Sequence, residues 1–428
     1  MTTQTNRDSS RLAIEGGAPA VRSKLPPMYP GGMRIGVEEE EAVLEVLRTK
    51  RLFRYYGPEP GPSKVAELET AFAQMVGVRH CVAVTSGSAA LICALAALGV
   101  GPGDEVIVPA YTWIASAEAV LAVGAVPVVA ECDDSLTLDP VDFERRITPR
   151  TRAVIPVHMR GAPCKMDEIM AVARRHNLGV LEDAAQADGA SYKGRRLGSI
   201  GDVGGFSFQF NKILTSGEGG AVTTNSLELY QRAVMVHDVV GGQRNQIPPD
   251  QIIPGLNFRL SELQGAVMLV QLKRLEGLLR DMRRNKAMLK GAVEGVAKRK
   301  GVTFRSLNDP EGDAAIALVM YAPTAERANA IAEALAAEGV GAGVMYRPDR
   351  VDYHIYPHWA PIVHQRSWSG AGFPWKWHEG PLNYSVEECP RTLDLLSRAI
   401  HVDISPELTS ENLEEMAEAY NKVLEALL

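Results

Sequence analysis

The chain has 428 residues, of which 46% are hydrophobic and 23% charged, with a formal net charge of -7. This composition is typical of a globular protein, and the length allows two or three domains. The negative net charge and the lack of a Lys/Arg-rich run argue against a nucleic-acid partner. The polar N-terminus lacks a signal peptide's apolar stretch, and the longest apolar run, Ala119–Ala130, is too short to span a bilayer. Five cysteines without a CxxC pair indicate a reducing compartment, so we predict a cytoplasmic protein with no membrane partner.

Strand-like and helix-like segments alternate between about residues 64 and 240. Helix-length segments such as 89–98 and 166–176 lie between short runs rich in Val and Ile. The alternation predicts an α/β fold with a mostly parallel sheet covered on both faces. Ligands of such sheets bind beyond the carboxyl ends of the strands. The predicted strands are 81–84, 106–108, 126–129, 153–157, 179–181 and 206–208.

The pattern changes after a long helix predicted over 259–280. A smaller α+β domain follows, and residues 350–384, rich in Trp, His, Pro and Gly, predict an irregular loop. The predicted elements of the small domain are strands at 302–304, 315–320 and 340–344 and helices at 325–337 and 410–427. The predicted division is an N-terminal arm (1–30), a large domain (31–280) and a small C-terminal domain (281–428).

Small residues follow the first predicted strand, in the run Thr85-Ser86-Gly87-Ser88-Ala89, and open an Ala/Leu-rich helix. Backbone N–H groups at the positive end of a helix form an anion site suited to a phosphate. An ordinary N-cap formed by Ser86 or Ser88, with no ligand, explains the same residues. This motif alone leaves both interpretations open.

Two further residues at strand ends carry potential chemistry. Asp183 ends a buried strand, where a carboxylate is costly unless paired, so it either meets a protonated ring nitrogen of a cofactor or caps the next helix. Glu182 points to the opposite face, so only one of the two should face the site. Lys212 lies between an aromatic-flanked Ser207 and a Gly-rich turn; a partly desolvated lysine is a nucleophile for aldehydes, whereas a solvated one is only a surface charge.

Together these signals indicate an aldehyde cofactor that carries a phosphate. The chain resembles the DegT/DnrJ/EryC1/StrS sugar aminotransferases, which are fold-type I enzymes dependent on pyridoxal 5′-phosphate (PLP), from about Arg11 onward. The motifs that carry the resemblance are VTSGSAAL (84–91), GDEVIVPAYTWIAS (103–116), LEDAAQADGASYKGRRLGSIGDVGGFSF (181–208), NKILTSGEGG (211–220) and GLNFRLSELQGAV (255–267).

The resemblance implies a role for each matching residue. Lys212 would form a Schiff base with PLP and move protons, and Asp183 would pair with the pyridine nitrogen. Gln186 would contact the PLP 3′-oxygen, and Trp113 would stack on the ring, although core packing alone also explains Trp113. The expected phosphate contacts are Gly87, Ser88, Ala89, Ser207 and, from the neighbouring subunit of a homodimer, Asn257. No metal is expected.

The family implies glutamate or glutamine as the amino donor and a keto-sugar or related polyhydroxylated ketone or aldehyde as the acceptor. Segments such as 53–56 and 158–169 most resemble family members that aminate an 8-oxo octulosonate, and keto-cyclitol aminotransferases share several of them. We predict an anionic acceptor because three arginines among the candidate contacts could bind its charge. Ion pairs with nearby surface carboxylates explain the same arginines. The candidate contacts are Arg54, Tyr56, Arg160, Tyr346 and Arg347.

Two other functions compete with amino transfer. The first is a PLP-dependent sugar dehydratase, a class that in this family carries His where Lys212 stands. The second is a non-catalytic regulator. The presence of Lys212, Asp183 and Ser207 disfavours both.

Overall fold

The computed structural model describes residues 11–27 and 33–428. Of the predicted N-terminal arm (1–30), residues 1–10 and 28–30 therefore lie outside the described residues. The described part contacts the second half of the chain, where the N–H groups of Ala13 and Ala20 each donate to the Glu338 carboxylate over 2.8 Å.

Seven strands form the central sheet of the first half of the chain. They are β1 (His80–Val84), β2 (Glu105–Pro109), β3 (Val126–Ala130), β4 (Thr151–Val154), β5 (Gly179–Asp183), β6 (Val203–Ser207) and β7 (Gly220–Thr224). Their order across the sheet is β1-β7-β6-β5-β4-β2-β3. Only β7 is antiparallel to its neighbours, which confirms the predicted mostly parallel α/β sheet.

Helices cover this sheet and continue into the C-terminal half. The longer ones are α1 (Val37–Thr49), α2 (Lys64–Val76), α3 (Gly87–Ala97), α4 (Ala115–Ala122), α5 (Pro140–Arg145), α6 (Met166–Arg175), α7 (Leu227–His237), α8 (Glu262–Arg299), α9 (Ala325–Ala337), α10 (Pro390–Arg398) and α11 (Ser410–Leu427). Across residues 11–27 and 33–428, none of the helices combines the length and the apolar character needed to cross a membrane.

Both faces of the large sheet are buried, as its Val-rich strands require. Alternate side chains point to opposite faces. Cys81 and Ala83 of β1 join a core with α2 and α6, whereas Val82 and Val84 join a second core with α3 and α4. Helix α3 is itself buried on nearly all sides, which holds its N-terminus rigidly at the edge of the sheet.

The second half of the chain contains a four-stranded antiparallel sheet. Its strands are β8 (Thr303–Phe304), β9 (Ala317–Tyr321), β10 (Ala342–Val344) and β11 (Ala399–Asp403), in the order β8-β9-β11-β10. Helices α9 and α11 share a core with it, which matches the predicted α+β character.

Helix α8 differs from its prediction because it continues to Arg299 instead of ending near residue 280. Its second half is highly charged, and its buried residues form only a narrow stripe: Asp281, Met282, Asn285, Leu289, Val293 and Ala297. The helix therefore passes through position 280, and the predicted division into domains stays a prediction.

Strands β6 and β7 also differ from the sequence interpretation. The strand predicted at 206–208 occupies Val203–Ser207, and the Gly-rich run predicted as a turn leads directly into β7. A Cβ on Gly204 would lie 2.5 Å from Thr223 Oγ1 of β7. Glycine, which local propensity assigns to turns, is required here by the close approach of two strands.

The segment 350–384 is irregular, as predicted. It contains only short helical turns at Tyr356–His358, Ala360–Val363 and Trp375–Trp377. Its start is fixed to the connection between β2 and α4, because Thr112 N–H donates to His354 O and Ile114 N–H to Tyr353 O, each over 2.9 Å.

Candidate active site

A cavity of about 480 Å³ lies at the carboxyl ends of β1, β5 and β6, the edge where the sequence predicts a ligand. It brings together most of the predicted site residues. These are Gly87, Ser88, Trp113, Arg160, Asp183, Gln186, Ser207 and Lys212. Polar residues that sequence reasoning missed also line it, namely Thr112, Ser116, Gln209, Asn211, Glu218 and His354.

The N-terminus of α3 forms one end of the cavity. Ser86 caps the helix by accepting a hydrogen bond from Ala89 N–H over 3.1 Å, and Ala89 therefore does not line the cavity. The N–H groups of Gly87 and Ser88 have no partner among the described residues. The cap and the anion site thus coexist at this helix start.

Gly87 brings this helix start against the end of β6. A Cβ on Gly87 would lie 2.7 Å from the Cβ of Ser207 and 3.0 Å from its Oγ. Only glycine allows this approach, so two free N–H groups and one hydroxyl converge on a small space suited to a phosphate.

Asp183 faces the cavity from the end of β5. Its carboxylate accepts hydrogen bonds from Ser116 Oγ over 2.8 Å and from Ala185 N–H over 3.1 Å. Burial raises its pKa, against the effect of these bonds and of the Lys212 charge. Glu182 points away and accepts from His158 and three backbone N–H groups, so only one of the two faces the site, as predicted.

Lys212 lies in the turn after β6. Its backbone N–H donates to Gln209 O over 2.9 Å, whereas its Nζ has no hydrogen bond or ion pair within the described part of the chain. Burial lowers the pKa of Lys212, and the charges of Asp183 and Asp188 partly oppose this. An amine with a lowered pKa and a free Nζ is the form that attacks an aldehyde.

Gln186 and Arg160 are fixed to each other. The Oε1 of Gln186 accepts from Arg160 N–H over 3.0 Å, which leaves the Gln186 NH₂ group free to donate. The Nε of Arg160 donates to Tyr111 OH over 3.3 Å, and its guanidinium has no carboxylate partner among the described residues.

A second cavity of about 420 Å³ meets the first at Trp113, Arg160 and His354. Trp113 is 46% exposed, so its ring is available to bound molecules instead of packing in the core. Arg347 lines only the second cavity and is paired with Asp349 over 3.0 Å.

Besides Ala89, four predicted residues lie outside both cavities of this chain. Arg54 is paired with Glu69 in the interior, where burial makes a carboxylate partner necessary, so pairing explains this arginine. Tyr56 is exposed, and the Tyr346 ring lies 5.7 Å from that of His358. Asn257 is exposed and forms a single backbone bridge with Asp238.

Among the residues that sequence reasoning missed, Ser116 had a detectable signal. It follows Thr112 by four residues at the start of a helix, and the two hydroxyls are 2.7 Å apart. His354 had no such signal, because segment 350–384 has no hydrophobic periodicity that would predict its packing against the sheet.

Residues 33–363 match the profile of the DegT/DnrJ/EryC1/StrS aminotransferase family. The chain is 34% identical to an L-glutamine:2-deoxy-scyllo-inosose aminotransferase of Streptomyces paromomycinus, over 96% of this chain and 97% of that protein. It is 43% identical to GDP-perosamine synthase of Caulobacter vibrioides, over 59% of this chain and 67% of that protein. The crystal structure of 3-amino-5-hydroxybenzoic acid synthase is similar at a TM-score of 0.77 and 29% identity, covering 95% of this chain and 100% of that one.

Proposed function

Because the chain belongs to the DegT/DnrJ/EryC1/StrS aminotransferase family, we propose that it moves an amino group from glutamate or glutamine to a polyhydroxylated ketone or aldehyde. The chain is a PLP-dependent aminotransferase of fold type I. The observation that carries the proposal is the convergence of Lys212, Asp183 and the start of α3 on one cavity. PLP supplies an electron sink for negative charge on the carbon that loses or gains the amino group.

The polar groups of the cavity fit PLP at both ends. The Gly87 and Ser88 N–H groups and the Ser207 hydroxyl would hold the phosphate. The Asp183 carboxylate would hold the protonated pyridine nitrogen through a charge-assisted hydrogen bond. The free NH₂ group of Gln186 matches the 3′-oxygen, which is a hydrogen-bond acceptor. Trp113 offers its exposed ring to the flat cofactor.

Lys212 has two tasks in this proposal. Its lowered pKa makes Nζ available for covalent attachment of PLP. When free, the same Nζ would take the proton from the substrate carbon that carries the amino group and would deliver it to the PLP carbon that carried the aldehyde. Ser116 and Ala185 restrain the Asp183 carboxylate, so that the charge facing the pyridine nitrogen is fixed before the substrate binds.

The charge of the amino acceptor depends on which arginines of the site are free to bind it. Of the three arginines predicted to bind an anionic acceptor, Arg54 and Arg347 are paired with carboxylates, and Arg160 carries a guanidinium without one in the described chain. An anionic keto-sugar, such as an octulosonate or a nucleotide-linked sugar, therefore depends mainly on Arg160. A neutral keto-cyclitol is the second candidate, favoured by this scarcity of unpaired charge and by the relative aligned over 96% of the chain.

We also propose a cytoplasmic homodimer in which Asn257 reaches the partner's site. Asn257 is exposed, and its side chain has no partner in the described chain. Leu256 beside it is 53% exposed, and Val239, next to the bridged Asp238, is 60% exposed. Apolar side chains around an unpaired amide suit a subunit interface. Five buried, unpaired cysteines suit a reducing compartment.

Borohydride reduction tests the role of Lys212. The purified protein loaded with PLP should absorb visible light, and reduction should fix the cofactor on the peptide that contains Lys212, as read by mass spectrometry. Lys212→Ala should lose both the adduct and amino transfer. Lys193→Ala, which removes an exposed lysine paired with Asp167, serves as the matched control. An adduct on another lysine would overturn the proposal.

A panel of acceptors tests the substrate class. Glutamine and glutamate are each offered with 2-deoxy-scyllo-inosose, an 8-oxo octulosonate and a nucleotide-linked keto-sugar, and Arg160→Met is assayed beside the wild type. An anionic acceptor should be preferred and should lose turnover in Arg160→Met. If the neutral cyclitol reacts far faster and Arg160→Met leaves its rate unchanged, the anionic acceptor is wrong and the cyclitol stands.

A further inference from the structure

His354 is held in a fixed orientation at the junction of the two cavities. Its Nδ1 lies 2.8 Å from Asp352 Oδ1, and its backbone N–H donates to the same oxygen over 2.9 Å. The ring centroid lies 4.9 Å from that of Trp113. The two rings are tilted at 57° to each other. An imidazole with one nitrogen bound to a carboxylate and its ring in contact with an indole has little freedom to rotate.

The surroundings define which nitrogen carries the proton. Burial lowers the pKa of His354, and the positive charges of Arg160 and Lys212 lower it further, while Asp352 opposes them. The imidazole is therefore neutral near pH 7, and the Asp352 carboxylate requires the single proton on Nδ1. Nε2 is left with a lone pair.

Nε2 has no hydrogen-bond partner among the residues at 11–27 and 33–428. The side chain keeps 21% of its surface exposed at the cavity wall. The cavity thus contains a fixed atom that accepts a hydrogen bond and donates none. A carboxylate or phosphate oxygen has no proton to offer it, whereas a hydroxyl group has.

We propose that Nε2 of His354 accepts a hydrogen bond from a hydroxyl group of the amino acceptor, and so selects a polyhydroxylated substrate. This inference rests on the proposed function. It adds a specificity-determining contact on the segment 350–384, beside Trp113. Arg160, at the same junction, would donate a hydrogen bond to an oxygen of the substrate. A polyol hydroxyl both donates and accepts hydrogen bonds, so His354 and Arg160 together match both properties.

The two half-reactions separate this role from a general structural one. Glutamine carries no hydroxyl group and meets the same PLP. We expect His354→Phe to keep the rate of the glutamine half-reaction within about twofold, and to lower kcat/KM for the best acceptor of the panel about 10- to 100-fold, the usual effect of losing one hydrogen bond in a desolvated site. His354→Gln, which can present a carbonyl oxygen to the hydroxyl, should recover part of this loss.

His364→Phe is the matched control, because His364 is exposed on the same segment and lines neither cavity. It should behave as wild type. Thermal melting of each variant checks that the segment stays folded. Equal losses in both half-reactions of His354→Phe, or wild-type kinetics in both, would overturn the inference. Absence of turnover with every polyhydroxylated acceptor in the wild type would instead overturn the proposed function.

Discussion

Asp183 and Asp188 both raise the pKa of Lys212 against the effect of burial, and the surroundings of the two carboxyl groups differ. Asp183 accepts two hydrogen bonds and faces the cavity. Asp188 is fully buried, and neither of its oxygens has a hydrogen-bond partner of normal geometry among the described residues, although the nearby Leu214 N–H lowers its pKa slightly against the effect of burial. Asp183 is therefore placed to meet a bound cation, whereas burial favours the protonated, neutral form of Asp188.

Asp183→Asn tests the first of these roles. The amide keeps the shape and the Ser116 contact but removes the charge that holds the pyridine nitrogen protonated. We expect turnover to fall roughly 100-fold or more, with PLP still bound through its phosphate. Steady-state kinetics and a PLP titration measure the two effects. Ser116→Ala, which removes only one of the two restraining bonds, should lower turnover much less. Near-normal turnover of Asp183→Asn would leave Asp183 with only a structural role in the turn that follows β5.

Asp188→Asn should change how stability depends on pH. Burial raises the pKa of Asp188 to about 8, far above that of a carboxyl group in an unfolded chain. Between about pH 4 and pH 8 the folded state keeps a proton that the unfolded state has released, so stability falls as pH rises through this window. With PLP removed, the Tm of Asp188→Asn should be close to wild type at pH 5 and several degrees higher at pH 8.5.

The control for this prediction is Asp250→Asn, which removes an exposed carboxylate. Its Tm should follow the wild type at both pH values. Parallel pH profiles for Asp188→Asn and the wild type would show that Asp188 is charged in the folded protein, through a contact that is absent from the isolated chain.

The sequence predicts the residues of the cofactor side because they lie at the carboxyl ends of strands or directly after them. Asp183, Ser207 and Gly87 meet for one reason, which is that the carboxyl ends of parallel strands share an edge. Pairings between distant side chains have no such signal. The Arg54–Glu69 ion pair and the Asp352–His354 contact depend on how loops fold over the sheet, and no local pattern encodes that.

At the scale of elements, the approach of α3 to β6 is the feature on which the anion site depends. Gly87→Ala places a methyl group 2.7 Å from Ser207 Cβ, so the helix start and the strand end must separate. We expect about tenfold weaker PLP binding, or ~1.4 kcal/mol. Equilibrium titration of PLP into the cofactor-free variant measures this.

Gly101→Ala is the matched control for this substitution, since a Cβ there meets nothing within 4 Å. It should bind PLP as the wild type does. Unchanged PLP affinity in Gly87→Ala would show that the phosphate site does not require the contact between helix and strand.

Element boundaries were predictable where a cap marks them. Helices α9 and α11 begin directly after Thr324 and Thr409, whose side chains accept backbone N–H groups, and both match their predicted ranges. Strand β6 was predicted to begin three residues too late and β7 was not predicted, because their glycines serve tertiary contacts that local propensity does not contain. The charged second half of α8 was missed because its buried stripe is only one residue wide per turn.

At the scale of the whole molecule, the site described in one chain lacks the residue predicted to come from a neighbour. If Asn257 completes the partner's site, a Lys212→Ala subunit and an Asn257→Asp subunit are each inactive alone, because the Asp carboxylate repels the phosphate. In random dimers half the molecules are mixed and one of their two sites is intact, so about a quarter of full activity should return.

This complementation is measured after the two variants are denatured and refolded together, with mixed dimers confirmed by native mass spectrometry. The control mixes Lys212→Ala with Asp183→Asn, two lesions of the same subunit's site, and should recover no more than a trace. If mixed dimers form without activity, Asn257 does not act across the interface.

The attachment of segment 350–384 to the residues around Trp113 has a consequence for how the substrate specificity of such enzymes evolves. The backbone hydrogen bonds from Thr112 and Ile114 fix only the start of the segment, and they do not depend on which side chains follow. The segment residues that line the two cavities, 350–354, lie at this start. Side-chain substitutions there can therefore change what the enzyme accepts while the amino-transfer machinery on the strand ends is inherited intact. An ancestral enzyme of this architecture can acquire new acceptors through one short, continuous stretch of its gene.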